Sequence, residues 1–122
     1  MKARLVSVGK TLCFHDLVDE NPIAQISPHS GTINCVAFSP YIRTHNMHAY
    51  LIATAGSDGK IILTNASTYV HVLTLEDRKA KSCAVNTLEF SQNGLFIVSG
   101  HADGIVKGNS FLLKKSLGYK ER

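Results

Sequence analysis

A chain of 122 residues with 44% apolar and 18% charged residues has the composition of one small globular domain, not of a disordered segment. No apolar run approaches the roughly 18 residues that indicate a membrane span, and no long apolar stretch follows the N-terminal charges as in a secretory signal. We therefore expect a protein without membrane contact, carrying a modest net charge of +4.

Short strand candidates separated by turn signals follow one another along the chain, and no segment has sustained helical periodicity. Pro28 and Pro40 each lie just after a candidate, where a residue without a backbone N–H ends the sheet ladder. We predict an all-β fold with antiparallel strands. In chain order the candidates are 12–14, 23–26, 33–38, 50–54, 61–63, 69–75, 85–90, 96–99 and 105–106.

Two of the predicted hairpins have related sequences. Segments 51–63 and 96–106 both contain an apolar strand, small residues, an Asp-Gly turn and a second apolar strand. Asp103 follows Asp58 by 45 residues, a spacing typical of propeller blades, each a four-stranded sheet. The strands before these hairpins align at a spacing of 52, and we place the seven extra residues in a loop insertion at 41–47.

These units resemble the WD-repeat family, in which a His precedes the first strand, Phe-Ser-Pro ends it, and an Asp-Gly turn leads to a Trp-Asp pair. His29 stands at the position of the His, residues 38–40 at that of Phe-Ser-Pro, and Asp58 at that of the Asp in the turn. Thr54 stands at the position of a Ser or Thr in the strand before the turn. The resemblance implies a structural hydrogen-bond network of His29, Thr54 and Asp58 within the blade, with Asp103 as the equivalent aspartate of the next unit.

The resemblance covers residues 4–113 and implies an incomplete propeller of about two and a half blades. Its parts are the end of a first blade at 1–16, a second blade at 17–65, a third at 66–113 and a basic tail at 114–122. We interpret the chain as a fragment of a longer propeller that needs further blades or self-association to cover open edges.

The chain also departs from the family pattern. It contains no Trp, and Lys81 stands where the third unit should have its His. Because buried polar networks stabilise best when complete, we expect blades less rigid than those of typical members. Other residues replace the Trp-Asp pair at 15–16, 64–65 and 109–110.

Within the family, the chain is most similar to the GCP-WD subfamily, which recruits the γ-tubulin ring complex to centrosomes and spindles. The similarity lies in segments 7–16, 28–29 and 58–64, and in 98–100 and 113–117. It implies a non-enzymatic interaction scaffold whose partners are the γ-tubulin complex or centrosomal proteins. The alternative is a WD-repeat adaptor in another pathway, such as ubiquitin ligase substrate recognition or RNA processing.

We expect no catalytic, metal or cofactor site. His15 and Asp16 are neighbours in a strand, so their side chains point to opposite faces. His45 and His48 lack the further ligands that a structural zinc ion requires. The three cysteines are odd in number and far apart, which is typical of reduced thiols and favours a cytoplasmic location. The subfamily resemblance implies a location at the centrosome or spindle.

The insertion is a candidate partner-binding loop, because inserted loops often carry specificity and Tyr, Arg and His suit interfaces. A length difference without function is the alternative interpretation. The candidate residues are Tyr41, Arg43, His45 and His48.

The C-terminal tail holds most of the excess positive charge, and we consider it a possible electrostatic site for an acidic partner. The alternative from a different class is an RNA-associated protein that binds through this tail. Nucleic acid is not our expected partner, because no Arg-Gly repeats or interleaved aromatic residues accompany the charge. The tail cations are Lys114, Lys115, Lys120 and Arg122.

Truncation after Leu113 tests the tail alternative, because it removes all four of these cations. We expect it to abolish any binding of single-stranded RNA that the full chain shows. That binding should also weaken steeply as salt is raised, since each phosphate contact releases counterions. RNA binding that survives the truncation in a fluorescence titration would refute the tail as its source.

Overall fold

The computed structural model describes residues 4–7, 9–16, 22–43, 48–76 and 83–109, and every regular element within these ranges is a β-strand. All strand pairs are antiparallel, so the predicted all-β antiparallel fold is confirmed. The strands are β1 Arg4–Ser7, β2 Leu12–Asp16, β3 Pro22–Ile26, β4 Ile33–Phe38, β5 Ile42–Arg43, β6 His48–Ala49, β7 Leu51–Gly56, β8 Ile61–Asn65, β9 His71–Leu75, β10 Val85–Phe90, β11 Ile97–His101 and β12 Val106–Asn109.

Within the described ranges, the strands form three sheets and one ribbon. The first sheet has the order β1-β2-β3, the middle sheet β4-β7-β8-β9 and the third sheet β10-β11-β12, while β5 and β6 form the ribbon. The strand that opens each sequence unit joins the preceding sheet, because β3 pairs with β2 and β9 pairs with β8. The sequence units were predicted to divide at 16/17 and 65/66. The sheets divide one strand later, after Ile26 and after Leu75.

The middle sheet is buried on both faces. All six residues of β7 and the first four of β8 are buried, which is the pattern of a sheet covered on each side. Because side chains alternate along a strand, Leu51 and Ala53 point toward the third sheet, whereas Ile52 between them points toward the first. The middle sheet is therefore held between its two neighbours.

Two hydrophobic cores fill the spaces between the sheets. The first core joins the first and middle sheets, and the second core joins the middle and third sheets. Burying one large apolar side chain contributes about 1.5–3 kcal/mol, so both cores contribute substantially to stability. The first core contains Leu12, Phe14, Ile33, Ile52 and Ala66. The second contains Ile42, Ala49, Leu51, Ala53, Ala55, Ile61, Leu63, Leu75, Val85 and Ile97.

The two faces of each sheet differ in what they contact. Ile97 of the third sheet packs into the second core, but Val98 and Val106 on its other face are 46% and 69% exposed. Their repeat equivalents in the middle sheet, Ala53 and Ile61, are buried against the third sheet. Neighbouring sheets therefore pack through unlike faces. The face that the third sheet exposes is equivalent to the face of the middle sheet that packs against the third sheet.

The insertion between β4 and β7 contains the ribbon, so the prediction of a loop is wrong for Ile42 and Arg43. Ile42 pairs with Ala49, and both lie in the second core, whereas Arg43 pairs with His48, and both are exposed. Strands of two residues are too short for this alternation to be recognised in the sequence.

The turn between β10 and β11 packs against the ribbon. A Cβ atom built on Gly94 would lie only 3.0 Å from Cγ1 of Ile42, so this turn packs closely on the ribbon. The backbone φ of Gly94 is 74°, which a residue with a side chain adopts only at a cost.

Replacing Ile42 with Ala should lower the free energy of unfolding by about 2–5 kcal/mol, because it leaves a cavity where the ribbon enters the second core. Urea denaturation measures this loss. His48→Ala on the exposed face of the same ribbon is the control, and we expect a change within about 0.5 kcal/mol. Equal effects of both substitutions would show that Ile42 does not anchor the ribbon.

Candidate functional site

His29, Thr54 and Asp58 come together at one end of the middle sheet. His29 precedes β4, Thr54 lies in β7 and Asp58 lies in the β7–β8 turn. The His29 Nε2 atom is 2.9 Å from Thr54 Oγ1, and Nδ1 is 3.0 Å from Asp58 Oδ1. Both His29 and Thr54 are buried. The buried imidazole therefore has a polar partner at each ring nitrogen.

The Thr54 hydroxyl allows this arrangement in either charge state of the imidazole. With the ring neutral and Nδ1–H donating to the Asp58 carboxylate, the Thr54 hydroxyl donates to Nε2. With the ring charged, Nε2–H donates to Thr54, whose hydroxyl then donates to the carbonyl oxygen of Ile62 at 3.4 Å. In either state both ring nitrogens of His29 therefore have a hydrogen-bond partner.

Further hydrogen bonds tie the segment before β4 to the β7–β8 turn. The backbone N–H of Ser30 donates to Asp58 Oδ2 at 3.3 Å, and that of Lys60 donates to Asp58 Oδ1 at 3.1 Å. The N–H of Thr32 donates to Ser57 Oγ at 3.1 Å, and the N–H of Ser57 donates to the carbonyl of Thr32 at 2.9 Å. We therefore interpret the group of His29, Thr54 and Asp58 as a structural clamp between two connections.

The environment of Asp58 favours its ionised form. Burial alone would raise the pKa of this carboxyl, but hydrogen bonds from the Lys60 N–H and the His29 ring oppose it. The charge of His29 and the N–H of Ser30 act in the same direction, so the pKa of Asp58 lies below its ordinary value.

In the third sheet, the buried hydroxyl at the position of Thr54 has a different hydrogen-bond partner. Ser99 takes the position of Thr54 and is buried, and its Oγ is 2.9 Å from Nε2 of His101 on the same strand. Asp103 is exposed, and its carboxylate accepts the N–H of Ile105 at 3.1 Å within its own turn. His101 was not among the residues predicted from the sequence, although its spacing of two residues from Ser99 places both side chains on one face of the strand.

The ribbon presents a second group of side chains at the opposite end of the middle sheet. The guanidinium carbon of Arg43 is 5.8 Å from the centre of the Tyr41 ring, and the Tyr41 ring meets Tyr50 edge-on with centroids 5.0 Å apart. Tyr41, Arg43 and His48 are exposed, and we call these three residues the ribbon surface. His45 lies outside the described residues.

Burial raises the pKa of the Cys35 thiol, which disfavours its reactive thiolate form. Among the described residues, no three His, Cys, Asp or Glu side chains lie close enough to hold a metal ion. No helix in the same ranges is long and apolar enough to cross a membrane. The tail residues Lys114, Lys115, Lys120 and Arg122 lie outside the described part of the chain.

Comparison with known proteins assigns the repeats. The family described as "WD domain, G-beta repeat" matches residues 20–65 and 69–107, which together make up more than half of the chain. The first matched segment contains His29, Thr54 and Asp58, and the second contains Ser99 and Asp103. A search of curated proteins found no match.

Replacing Asp58 with Asn should lower the free energy of unfolding by about 1–3 kcal/mol near pH 6, because partly buried hydrogen-bond donors lose a charged acceptor. Since the pKa of Asp58 is lower in the folded state than its unfolded value of about 3.9, the carboxylate stabilises the fold above that value. This stabilisation disappears as the pH falls through the lowered folded-state pKa.

The pH dependence provides the measurement. Urea denaturation from about pH 6 to about pH 2 should show a weaker loss of stability in Asp58→Asn than in the unmodified chain. Asp103→Asn is the matched control, because it removes the same charge at the equivalent turn without a His29 counterpart among the described residues. Identical acid profiles for the two variants would contradict a special role for Asp58.

Proposed function

The chain belongs to the WD-repeat family, whose members are generally non-enzymatic scaffolds for protein interactions, and we propose that its partners are the γ-tubulin ring complex or centrosomal proteins. Family membership supports the scaffold role. The γ-tubulin assignment is supported by the residues that resemble the GCP-WD subfamily, at 7–16, 28–29 and 58–64. A location in the cytoplasm, at the centrosome or spindle, belongs to the same proposal.

The ribbon surface is the part of the described chain that best fits partner binding. Ile42 and Ala49 fix the inner side of the ribbon in the second core, so the outer side is held on a rigid base. Tyr and Arg are enriched among the residues that contribute most to interface affinity. A rigid base also reduces the conformational entropy that is lost when a partner binds.

The clamp of His29, Thr54 and Asp58 supports this role indirectly. It fixes the connections at one end of the middle sheet, while the ribbon surface lies at the other end. We propose that the clamp maintains the sheet and that the ribbon surface contacts the partner. An adaptor role in ubiquitin ligase recognition or RNA processing remains the alternative, with the same surface binding a different protein.

Retention of purified γ-tubulin ring complex on the immobilised full chain tests the proposal. We expect the complex to bind the unmodified chain, and we expect a variant with Tyr41, Arg43 and His48 all changed to Ser to retain at least about tenfold less. Lys60→Gln, at the opposite end of the middle sheet, is the control and should retain the complex fully.

The possible results separate the parts of the proposal. Failure of the unmodified chain to retain the complex would refute the γ-tubulin assignment and leave the family role untouched. Equal retention by the unmodified chain and the triple variant would show that the complex binds elsewhere. Circular dichroism of the triple variant checks that its fold is intact, as expected for changes confined to exposed side chains.

A further inference from the structure

The guanidinium of Arg43 lies near an aromatic ring and has no acidic partner among the described residues. It lies over the Tyr41 ring, and the Tyr41 ring packs against Tyr50, whose carbonyl accepts the N–H of Ala66 at 3.0 Å. No carboxylate of the described residues forms an ion pair with Arg43. The ring therefore attracts a cation that forms no ion pair with a carboxylate of the described residues.

From this geometry we infer that the ribbon surface binds an acidic segment of a partner protein and that Arg43 takes one of its carboxylates. The guanidinium presents its donors as a planar fork that matches two carboxylate oxygens at once. The cation–π contact with Tyr41 favours a position of the Arg43 side chain beside the ring, which lowers the conformational entropy lost on complex formation. The inference rests on the proposed scaffold function, because it names the chemistry of the partner.

Exposed apolar side chains at the same end of the middle sheet as Arg43 indicate what could flank that carboxylate. Phe38, which ends β4, is 41% exposed, and Tyr41 is 43% exposed. Val70 in the β8–β9 turn is 61% exposed, and antiparallel pairing places this turn at the same end of the middle sheet as the ribbon. A segment that alternates acidic and aromatic residues would satisfy both the cation and these apolar side chains.

A nucleic acid fits this end less well than an acidic peptide. Nucleic-acid sites neutralise several phosphates with a row of cations. The described lysines at turns, Lys10 and Lys60, lie at the opposite end, near the clamp. The hydrogen bond of 2.7 Å from the Ile33 N–H to the Gly9 carbonyl shows that the β1–β2 turn is at the clamp end. A single Arg beside an aromatic ring matches a carboxylate better than a polyphosphate chain.

Fluorescence polarisation with a capped, labelled peptide of alternating Glu and Phe tests the inference on the full chain. The matched peptide replaces every Glu with Gln. At about 0.15 M salt, where exposed charges beyond about 8 Å are screened, we expect the Glu peptide to bind about tenfold tighter than the Gln peptide. Arg43→Gln should remove this preference, and Arg43→Lys should restore little of it, because an ammonium cannot form the planar fork.

Lys60→Gln is the control, since it removes the same charge at the clamp end and leaves the tail cations in place. We expect less than about a twofold change in its affinity for the Glu peptide. Equal weakening by Lys60→Gln and Arg43→Gln would overturn the inference in favour of diffuse charge attraction. Tighter binding of oligouridine than of the Glu peptide, lost in Arg43→Gln, would overturn the choice of a protein partner.

The outcomes also separate this inference from the proposed function. If the unmodified chain retains the γ-tubulin ring complex but neither peptide binds, the acidic-segment inference is wrong and the proposed function stands. If the Glu peptide binds through Arg43 but the complex is not retained, the γ-tubulin assignment is wrong and the acidic-segment inference stands. Arg43→Gln should keep the melting temperature of the unmodified chain, because its side chain is exposed.

Discussion

Burial of the middle sheet on both faces is the constraint on which the rest of the structure depends. A sheet with β7 and β8 almost wholly buried has no side to turn toward water, so it requires a neighbouring sheet on each side. The first core provides one neighbour through Phe14, and the second core provides the other through Val85 and Ile97. The first strand of each unit also pairs with the last strand of the preceding unit, β3 with β2 and β9 with β8. These backbone hydrogen bonds link each unit to the sheet before it.

The chain contains no Trp, and other side chains form the local contacts of its sheets. At the boundary of the first and middle sheets, the Phe14 and Tyr69 rings pack with centroids 4.6 Å apart. Tyr69 makes this contact with a φ of 63°, a left-handed conformation that costs a residue with a side chain of order 1 kcal/mol. The Asn65 side chain stabilises the same turn by accepting the N–H groups of Ser67 and Thr68. In the third sheet, His101 supplies the partner that buried Ser99 needs.

The sequence predicted the parts of the fold that depend on local signals. The turns were recognised from their Asp-Gly pairs, and Gly59 and Gly104 adopt the positive φ that such turns require. The strands on either side were recognised from their apolar runs. The assignment of strands to sheets was not predictable in this way, since it depends on pairing between distant segments. The ribbon was missed because only Ile42 and Ala49 mark its buried side, and neither forms a pattern long enough to recognise.

The candidate site shows the same division. Positions of His29, Thr54 and Asp58 came from the family resemblance, which carries information about a three-dimensional arrangement that spacing alone does not contain. The cation–π contact of Arg43 with Tyr41 was not predicted, although both residues were selected for their chemistry. It requires the ribbon pairing and the Tyr50 contact, and both exist only once the strands have assembled.

Packing through unlike faces gives the array of sheets a direction. A two-fold axis would place like faces together, so two copies of this kind of sheet cannot form a symmetric pair through this packing. Ala53 and Ile61 are covered by the face of the third sheet that contains Ile97. Any β-sheet that covers Val98 and Val106 in the same way must present a face equivalent to that of Ile97. Each addition then creates a new face like the one it covered, so growth of this kind stops only when a ring closes or a chemically different surface caps the end.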